Sequence, residues 1–231
     1  CAEATPDEVA VRARAADLGR TYLTLDEIGR QRFIATLAER FDVDREAVDT
    51  AMEAASGAGD DKARRIAETR LREALEPRWR RLLTRFTSLP EGVKFLVDLR
   101  AEMLPQAREN PAVAELSADL RQMLAAWFDV GLLELRRITW DSPAALLEKL
   151  IAYEAVHEIR SWDDLKNRLE IDRRCFAYFH PNMPGEPLIF VEVALVEGMS
   201  DSVDALLDGS APIANPDEAD SAIFYSISNA Q

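Results

Sequence analysis

The chain has 231 residues, of which 48% are hydrophobic and 30% charged, enough apolar material for one or two packed cores. Its 28 basic and 42 acidic residues give a formal net charge of −14. Because such a surface repels phosphate groups, the charge argues against a general binder of nucleic acid or of anionic membranes. No uncharged apolar run approaches the roughly 18 residues of a membrane-spanning helix. We therefore expect a globular protein with neither nucleic acid nor membrane as its partner.

The cysteine and histidine content limits redox and metal chemistry. Cys1 and Cys175 are too few for a disulfide framework, which favours a reducing compartment, and we take the cytoplasm as the starting assumption. With only two histidines, the chain has too few soft ligands for a structural zinc site, which leaves a metal held by carboxylates alone as the open alternative. Cys1 stands where an initiator methionine is expected, and we interpret it as the start of a piece of a longer protein rather than as a lipidated cysteine.

Residues 6 to about 170 predict one helix after another. Asn110 followed by Pro111 is typical of a helix start, and Ser142-Pro143 repeats that signal. Ser161 with Asp164 three residues later resembles a capping box. Apolar residues recur at spacings of three and four along these helices, which predicts a buried stripe on each. The stripes are Val93, Leu96, Leu99, Met103; Val113, Leu116, Leu120, Met123, Leu124, Trp127; and Leu146, Leu147, Leu150, Ile151.

The pattern changes to strands at about Asp172. Residues 175–179 (CFAYF) predict a short aromatic strand, and the two prolines of residues 180–185 predict a turn. Residues 188–195 (LIFVEVAL) are nearly continuous apolar residues, as expected for a strand buried on both faces. A short helix is predicted over 202–207 and a last strand over 222–228.

The fold class predicted from these patterns is α+β. We expect an all-α helical bundle domain over residues 1–160, followed over 161–231 by the first strands of an incomplete α/β domain. Three strands and one short helix make an open sheet with two long edges, which is marginal by itself. We therefore expect the second domain to continue beyond Gln231.

The candidate functional residues do not form a recognisable catalytic motif by spacing alone. His180 follows a strand, and we interpret it as structural or solvent-facing more readily than as catalytic. His157 is assigned to capping the end of a helix, with catalysis as the alternative. Glu192 lies within an apolar strand, where a dry carboxyl would have the raised pKa of a general acid or base; contact with water or an arginine is the equal alternative. Cys175 is expected to be an inert core thiol.

Several segments resemble the malonyl-CoA decarboxylase family. The resemblance is specific over residues 155–231 and looser, mainly in helical pattern, over 1–154. The matching segments are residues 161–169 (SWDDLKNRL), 172–176 (DRRCF), 180–181 (HP), 183–184 (MP), 186–195 (EPLIFVEVAL) and 222–229 (AIFYSISN). Ala230 departs from the residues that relatives carry there.

The resemblance implies a helical domain that builds an oligomer, a homotetramer in our expectation, and a GNAT-like catalytic domain that binds coenzyme A. Members convert malonyl-CoA to acetyl-CoA and CO2 without a metal or organic cofactor, so malonyl-CoA and acetyl-CoA are the expected substrate and product. The strand over 222–228 would precede the loop that holds the coenzyme A pyrophosphate, and Gln231 matches the first residue of the malonyl-CoA-binding segment. The family's catalytic serine and histidine would fall beyond Gln231, so we assign no catalytic residue within the chain and expect residues 1–231 alone to be inactive.

Two rival functions belong to other classes. The helical stripes also fit an oligomerisation module that acts as a scaffold, and the coenzyme A-binding fold also fits a GNAT-type acyltransferase. A glycine-rich loop and a helix after residue 231 would favour an enzyme over the scaffold. Turnover of malonyl-CoA without an acceptor amine would favour the decarboxylase over the transferase.

Overall fold

The computed structural model describes residues 6–229. The chain forms two compact units that divide between Trp127 and Phe128. This division lies earlier than the predicted boundary at 160/161, because residues 128–160 contain a strand that pairs into the sheet of the second unit. None of the helices within the described residues is both long and apolar enough to span a bilayer.

The described part of the first unit is helical. Asp26, Asp44 and Asp60 each begin a helix, because each carboxylate accepts a hydrogen bond from the backbone N–H three residues later. The helices are α1 (Pro6–Thr24), α2 (Glu27–Arg40), α3 (Arg45–Ser56), α4 (Asp61–Ala74), α5 (Arg78–Phe86), α6 (Gly92–Gln106) and α7 (Pro111–Trp127).

The core of the first unit confirms the predicted stripes of α6 and α7. Leu96 and Met103 on α6 are fully buried, as are Leu116 and Leu120 on α7. Trp127, predicted as the end of the α7 stripe, is half-buried. The side chain of Asn110 accepts hydrogen bonds from the first backbone N–H groups of α7, as the Asn-Pro signal predicts.

The second unit is an antiparallel sheet with helices on one face. Its strands lie in the order β1-β2-β3-β4. Its elements are β1 (Glu134–Ile138), α8 (Ala144–Tyr153), α9 (Trp162–Arg168), β2 (Arg173–His180), β3 (Met183–Val196), α10 (Val203–Leu207) and β4 (Ser221–Asn229).

The sheet differs from the sequence prediction at two places. β1 was predicted as part of a helical region, because its residues Glu134, Arg136 and Arg137 hide the alternation of a strand; charged side chains of this kind are common on strands at a sheet edge. The predicted turn over residues 180–185 is shorter, because β2 ends at His180 and β3 begins at Met183. The other three predicted strands are confirmed and longer.

The two faces of the sheet differ in environment. The inner face carries Cys175, Ala177, Phe179 and Phe190, which pack in one cluster with Leu147, Leu150 and Leu165 of α8 and α9. On the outer face Ile189, Phe224 and Ile227 are exposed. β3 is therefore buried mainly on its inner face over residues 188–195, not on both faces along its whole length.

Candidate functional site

The inner face of the sheet becomes polar where β3 and β4 meet. Glu192 is paired across the strands with Cys175 on β2 and with Ser226 on β4. Its side chain is 1% exposed, and Ser226 and Ser228 are equally buried. An apolar strand therefore carries one carboxylate into the core, and the neighbouring strand carries two buried hydroxyls on the same face of the sheet.

Arg168 is the cation of this polar centre. α9 begins at the Ser161 cap, whose hydroxyl accepts a hydrogen bond from the Asp164 N–H, and the helical spacing places Leu165 and Arg168 on its buried face. The Arg168 guanidinium donates to Glu192 at 3.0 Å, to Asp164 at 3.0 Å and to the Glu158 carbonyl at 3.2 Å. One arginine thus joins α9, the preceding loop and β3.

The ionisation of this pair follows from its burial. Burial raises the pKa of Glu192 to about 7, although Arg168 acts in the opposite direction. Burial also disfavours the charged form of Arg168, but hydrogen bonds and charges from Asp164 and Glu192 outweigh it and raise the arginine pKa. Both sequence alternatives for Glu192 are therefore correct at once: the carboxyl is dry, and it meets an arginine. Its raised pKa is typical of a general acid or base, but its side chain is buried in the sheet.

Glu154 is a second buried carboxylate on the same face. It follows the last residue of α8 and is 8% exposed. Its Oε1 accepts hydrogen bonds from the backbone N–H of Val156 at 2.9 Å, from that of His157 at 2.8 Å and from the Ser226 hydroxyl at 2.8 Å. Its Oε2 accepts one from the Ser228 hydroxyl at 3.0 Å. Four donors from a loop and a strand therefore converge on one side chain.

A bulge in β4 adds an extra inward residue next to this centre. Glu192 pairs with Ser226 and Val193 pairs with Phe224, so Tyr225 has no partner on β3. Tyr225 is buried, and its hydroxyl has no hydrogen-bond partner within the described part of the chain. Burial raises its pKa, and the charge of Glu192 adds to that effect.

His180 and Cys175 are buried in the second unit, and His157 lies in a loop. His180 is buried at the end of β2, where its Nδ1 accepts a hydrogen bond from the Asn182 N–H, as the structural interpretation predicted. The capping role predicted for His157 is wrong, since α8 ends at Tyr153 and His157 lies in the following loop with its N–H bonded to Glu154. Burial raises the pKa of the Cys175 thiol, which agrees with an inert core cysteine.

Gln231, the predicted substrate-binding residue, lies outside the described residues, as does Cys1. Among residues 6–229, no group of three or more His, Cys, Asp and Glu side chains is arranged to hold a metal ion.

Sequence reasoning missed Glu154, Arg168 and the two serines of β4. A signal existed for Arg168, because it lies three residues after Leu165 and so on the same face of α9. A signal also existed for Ser226 and Ser228, which alternate with Ile227 as inward positions of one strand do. Glu154 carried none, since a glutamate at the end of a helix is ordinarily solvated.

Fold and site together define the class of protein: an α+β chain with a helical unit followed by an antiparallel sheet unit that has a buried polar centre. Two family models match it in tandem. The Malonyl-CoA decarboxylase N-terminal domain matches residues 41–128, and the Malonyl-CoA decarboxylase C-terminal domain matches residues 131–231. The chain belongs to the malonyl-CoA decarboxylase family.

Individual relatives agree with the family models. Mitochondrial malonyl-CoA decarboxylases of Anser anser anser and Mus musculus are 42% and 41% identical over 171 residues, which is 71% of this chain and 34% and 35% of theirs. The crystal structure of malonyl-CoA decarboxylase from Rhodopseudomonas palustris has a TM-score of 0.87 and 39% identity, covering 96% of this chain and 53% of that one. The crystal structure of malonyl-CoA decarboxylase from Agrobacterium vitis has a TM-score of 0.83 and 36% identity, covering 98% of this chain and 54% of that one. The chain thus spans about a third of these curated relatives and about half of the solved structures.

Proposed function

We propose that the product of the complete gene is a malonyl-CoA decarboxylase, a carboxy-lyase that converts malonyl-CoA to acetyl-CoA and CO2 without a metal or organic cofactor. The observation that carries the proposal is the agreement of two independent divisions of the chain. The two family models meet between residues 128 and 131, and the compact units divide between Trp127 and Phe128. Both domains of one family are thus present in the family's order, each on its own folded unit.

The chemistry sets demands on the site. Loss of CO2 from malonyl-CoA leaves negative charge on the thioester enolate, so the site must offer preorganised donors to that oxygen and a proton to the carbon. The described polar groups of the sheet centre are bonded to one another and buried, so their part is to hold the strands. The catalytic serine and histidine that the resemblance implies, and substrate binding at Gln231, stay predictions.

Oligomerisation and location complete the proposal. We propose that the helical unit carries the contacts of a homo-oligomer, expected as a homotetramer, and that the sheet unit begins the coenzyme A-binding domain. The cytoplasmic location stays a prediction, and the curated relatives from Anser anser anser and Mus musculus are named as mitochondrial proteins.

The test is an assay of the purified complete gene product with malonyl-CoA as the sole substrate. We expect acetyl-CoA and CO2 in equal amounts, with CO2 measured by release of label from the free carboxyl carbon. Prior dialysis against a chelator should leave the rate unchanged. The resemblance also predicts that purified residues 1–231 release no CO2, which makes this chain the matched negative control.

Other results would favour a different function. If the protein transfers the acyl group to an amine and leaves malonyl-CoA intact without that amine, its function is that of a transferase and not of a decarboxylase. Oligomer formation with no turnover of any acyl-CoA would favour the scaffold. Detectable CO2 release by residues 1–231 would refute the assignment of the catalytic residues to the region beyond Gln231.

A further inference from the structure

The α3–α4 hairpin, residues 45–74, packs mainly on itself. Its two helices contact each other more extensively than any other pair of helices in the first unit, and neither packs extensively on a third helix of the described part of the chain. Only Val48, Ala51 and Ala67 are buried in these helices. Most of the stability of a helix in a protein comes from packing of its apolar face, so a hairpin with so small a core is marginal by itself.

The hairpin also leaves apolar side chains open to solvent. Met52 on α3 and Ile66 on α4 are 52% and 48% exposed. An open groove of about 460 Å³ between the two helices is lined largely by alanines, with Glu46 on α3 and Arg70 on α4. Ile66 lies one helical turn before Arg70 and therefore on the groove side of α4. A second pair of helices could approach this side closely and cover Ile66.

The charges of the hairpin are divided between its helices. α3 has three acidic residues and one basic residue, whereas α4 has five basic residues and three acidic ones. Within residues 6–229, Arg45 pairs with Asp42 and no other charged residue of the hairpin belongs to an ion pair. The hairpin thus presents an acidic helix and a basic helix whose charges its own chain leaves without salt bridges. The acidic residues of α3 are Glu46, Asp49 and Glu53, and the basic residues of α4 are Lys62, Arg64, Arg65, Arg70 and Arg72.

A second copy of the hairpin is complementary to both features. A two-fold rotation places α3 of one copy on α4 of the other and, by symmetry, α4 on α3. An acidic helix then faces a basic helix twice, and the two grooves face each other. Two copies with a net charge of −14 repel at long range, so opposite charges at the contact are what allows them to meet. A nucleic acid would suit α4 alone and is repelled by α3 and by the net charge.

We propose that the α3–α4 hairpin is a self-association surface: it pairs with the hairpin of a second copy in a four-helix arrangement that joins α3 to α4 by opposite charges and buries Ile66. The inference rests on the homo-oligomer of the proposed function and assigns one of its two-fold interfaces to these two helices. It is independent of the decarboxylase activity.

The test reverses charges in the complete gene product and measures its mass by sedimentation velocity over a range of concentrations. Arg65→Glu with Arg70→Glu makes both helices net acidic, and Glu46→Lys with Glu53→Lys makes both net basic; all four positions are exposed. Each variant alone should fall to half the wild-type mass, with about a tenfold or larger rise in the dissociation constant. An equimolar mixture of the two should regain the wild-type mass, because each acidic helix again meets a basic one.

Further variants separate pairing from net charge and from folding. Arg32→Glu with Arg85→Glu makes the same change of charge at exposed positions of α2 and α5 and should keep the wild-type mass. Ile66→Gln changes no charge and should also weaken association, so it decides the question if the charge variants fail to fold in a thermal unfolding assay. Added salt should weaken association of the wild type, because it screens charges near the surface.

Several outcomes overturn the inference. They are a wild-type mass in every hairpin variant that folds, an equal loss of mass in the α2 and α5 control, and a mixture that does not regain the mass, which would assign the hairpin to another segment of the same chain. Loss of nucleic-acid binding in the α4 variant at unchanged mass would assign it to nucleic acid. A monomeric wild type would overturn the proposed homo-oligomer as well, whereas a wild type without turnover of malonyl-CoA would overturn only the proposed activity.

Discussion

Arg168 shows how single residues tie the second unit together. Its side chain is 2% exposed and contacts Glu192 and Asp164, so the burial of one cation depends on two acids. Removing one partner of a buried pair leaves an uncompensated charge, a cost of about 3–5 kcal/mol in other proteins. The pair therefore specifies how α9 sits on the sheet, since any other placement of the helix would separate the charges.

Glu192 predicts a pH dependence of stability. Its carboxyl has a pKa of about 7 in the folded chain, because burial favours the neutral form, and an ordinary value of 4.5. Between these values the folded state keeps a proton that the unfolded state has released, so stability falls as pH rises, by at most about 1.4 kcal/mol per pH unit. Below pH 4.5 the contribution is constant. Glu192→Gln should remove this decline, as measured by urea unfolding at a series of pH values.

The control for this prediction is Glu148→Gln. Glu148 lies on α8 in the same unit and is exposed, so the substitution should leave the decline between pH 4.5 and 7 in place. An identical decline in wild type and Glu192→Gln would mean that another group titrates in that window.

At the scale of elements, the turn between α5 and α6 is unusually close-packed. A Cβ at Gly92, the first residue of α6, would lie 1.8 Å from the carbonyl oxygen of Phe86, which is backbone and cannot rotate away. The preceding residue, Glu91, has φ of 57°, in the left-handed region. The two residues together allow α6 to start almost in contact with the end of α5.

Gly92→Ala should therefore destabilise the first unit. We expect the free energy of unfolding to fall by about 1–3 kcal/mol, which is the usual cost of forcing extra volume into a packed site. Gly59→Ala is the matched control, because a Cβ there has no heavy atom within 4 Å. Equal unfolding midpoints for the two variants in urea would contradict the packing argument.

The elements that sequence predicts best are those with local signals. Asn110-Pro111 marks the start of α7 through its own side chain and ring, and the stripe from Val113 to Leu124 follows the helix period. β1 was missed because its only buried residue is Ile138, and an edge strand is defined by its partner β2 more than by its own pattern. A short window of sequence does not show that two strands some 40 residues apart will pair.

The polar centre was harder to predict for the same reason. Glu192 could be singled out, because a charge inside an apolar strand is visible in one window of sequence. Its partner Arg168 is 24 residues away, and Glu154 meets Ser226 only through the tertiary fold, 72 residues apart. Charged residues are mostly exposed, so a sequence pattern assigns them to solvent unless the register of the sheet is known.

At the scale of the whole molecule, the outer face of the sheet exposes large apolar side chains. Phe224 and Ile227 on β4 are 67% and 62% exposed, next to a strand side that no described strand pairs with. Apolar side chains beside an unpaired edge favour association between copies.

We therefore expect the double variant Phe224→Thr, Ile227→Lys of residues 1–231 to self-associate less than wild type. Light scattering over a range of protein concentrations measures this directly. Ile213→Lys, in the exposed loop between α10 and β4, adds the same charge away from the sheet and should change nothing. Equal effects of the two variants would attribute the change to net charge alone.

Tyr225, the extra inward residue of β4, also provides an ultraviolet absorbance signal for unfolding. Burial raises the phenol pKa of Tyr225 in the second unit, and burial with a hydrogen bond to Glu102 does the same for Tyr22 in the first. Two of the four tyrosines in the chain are thus shielded from alkali, one in each unit. The ultraviolet absorbance of tyrosinate during an alkaline titration would consequently report the melting of both units without any added label.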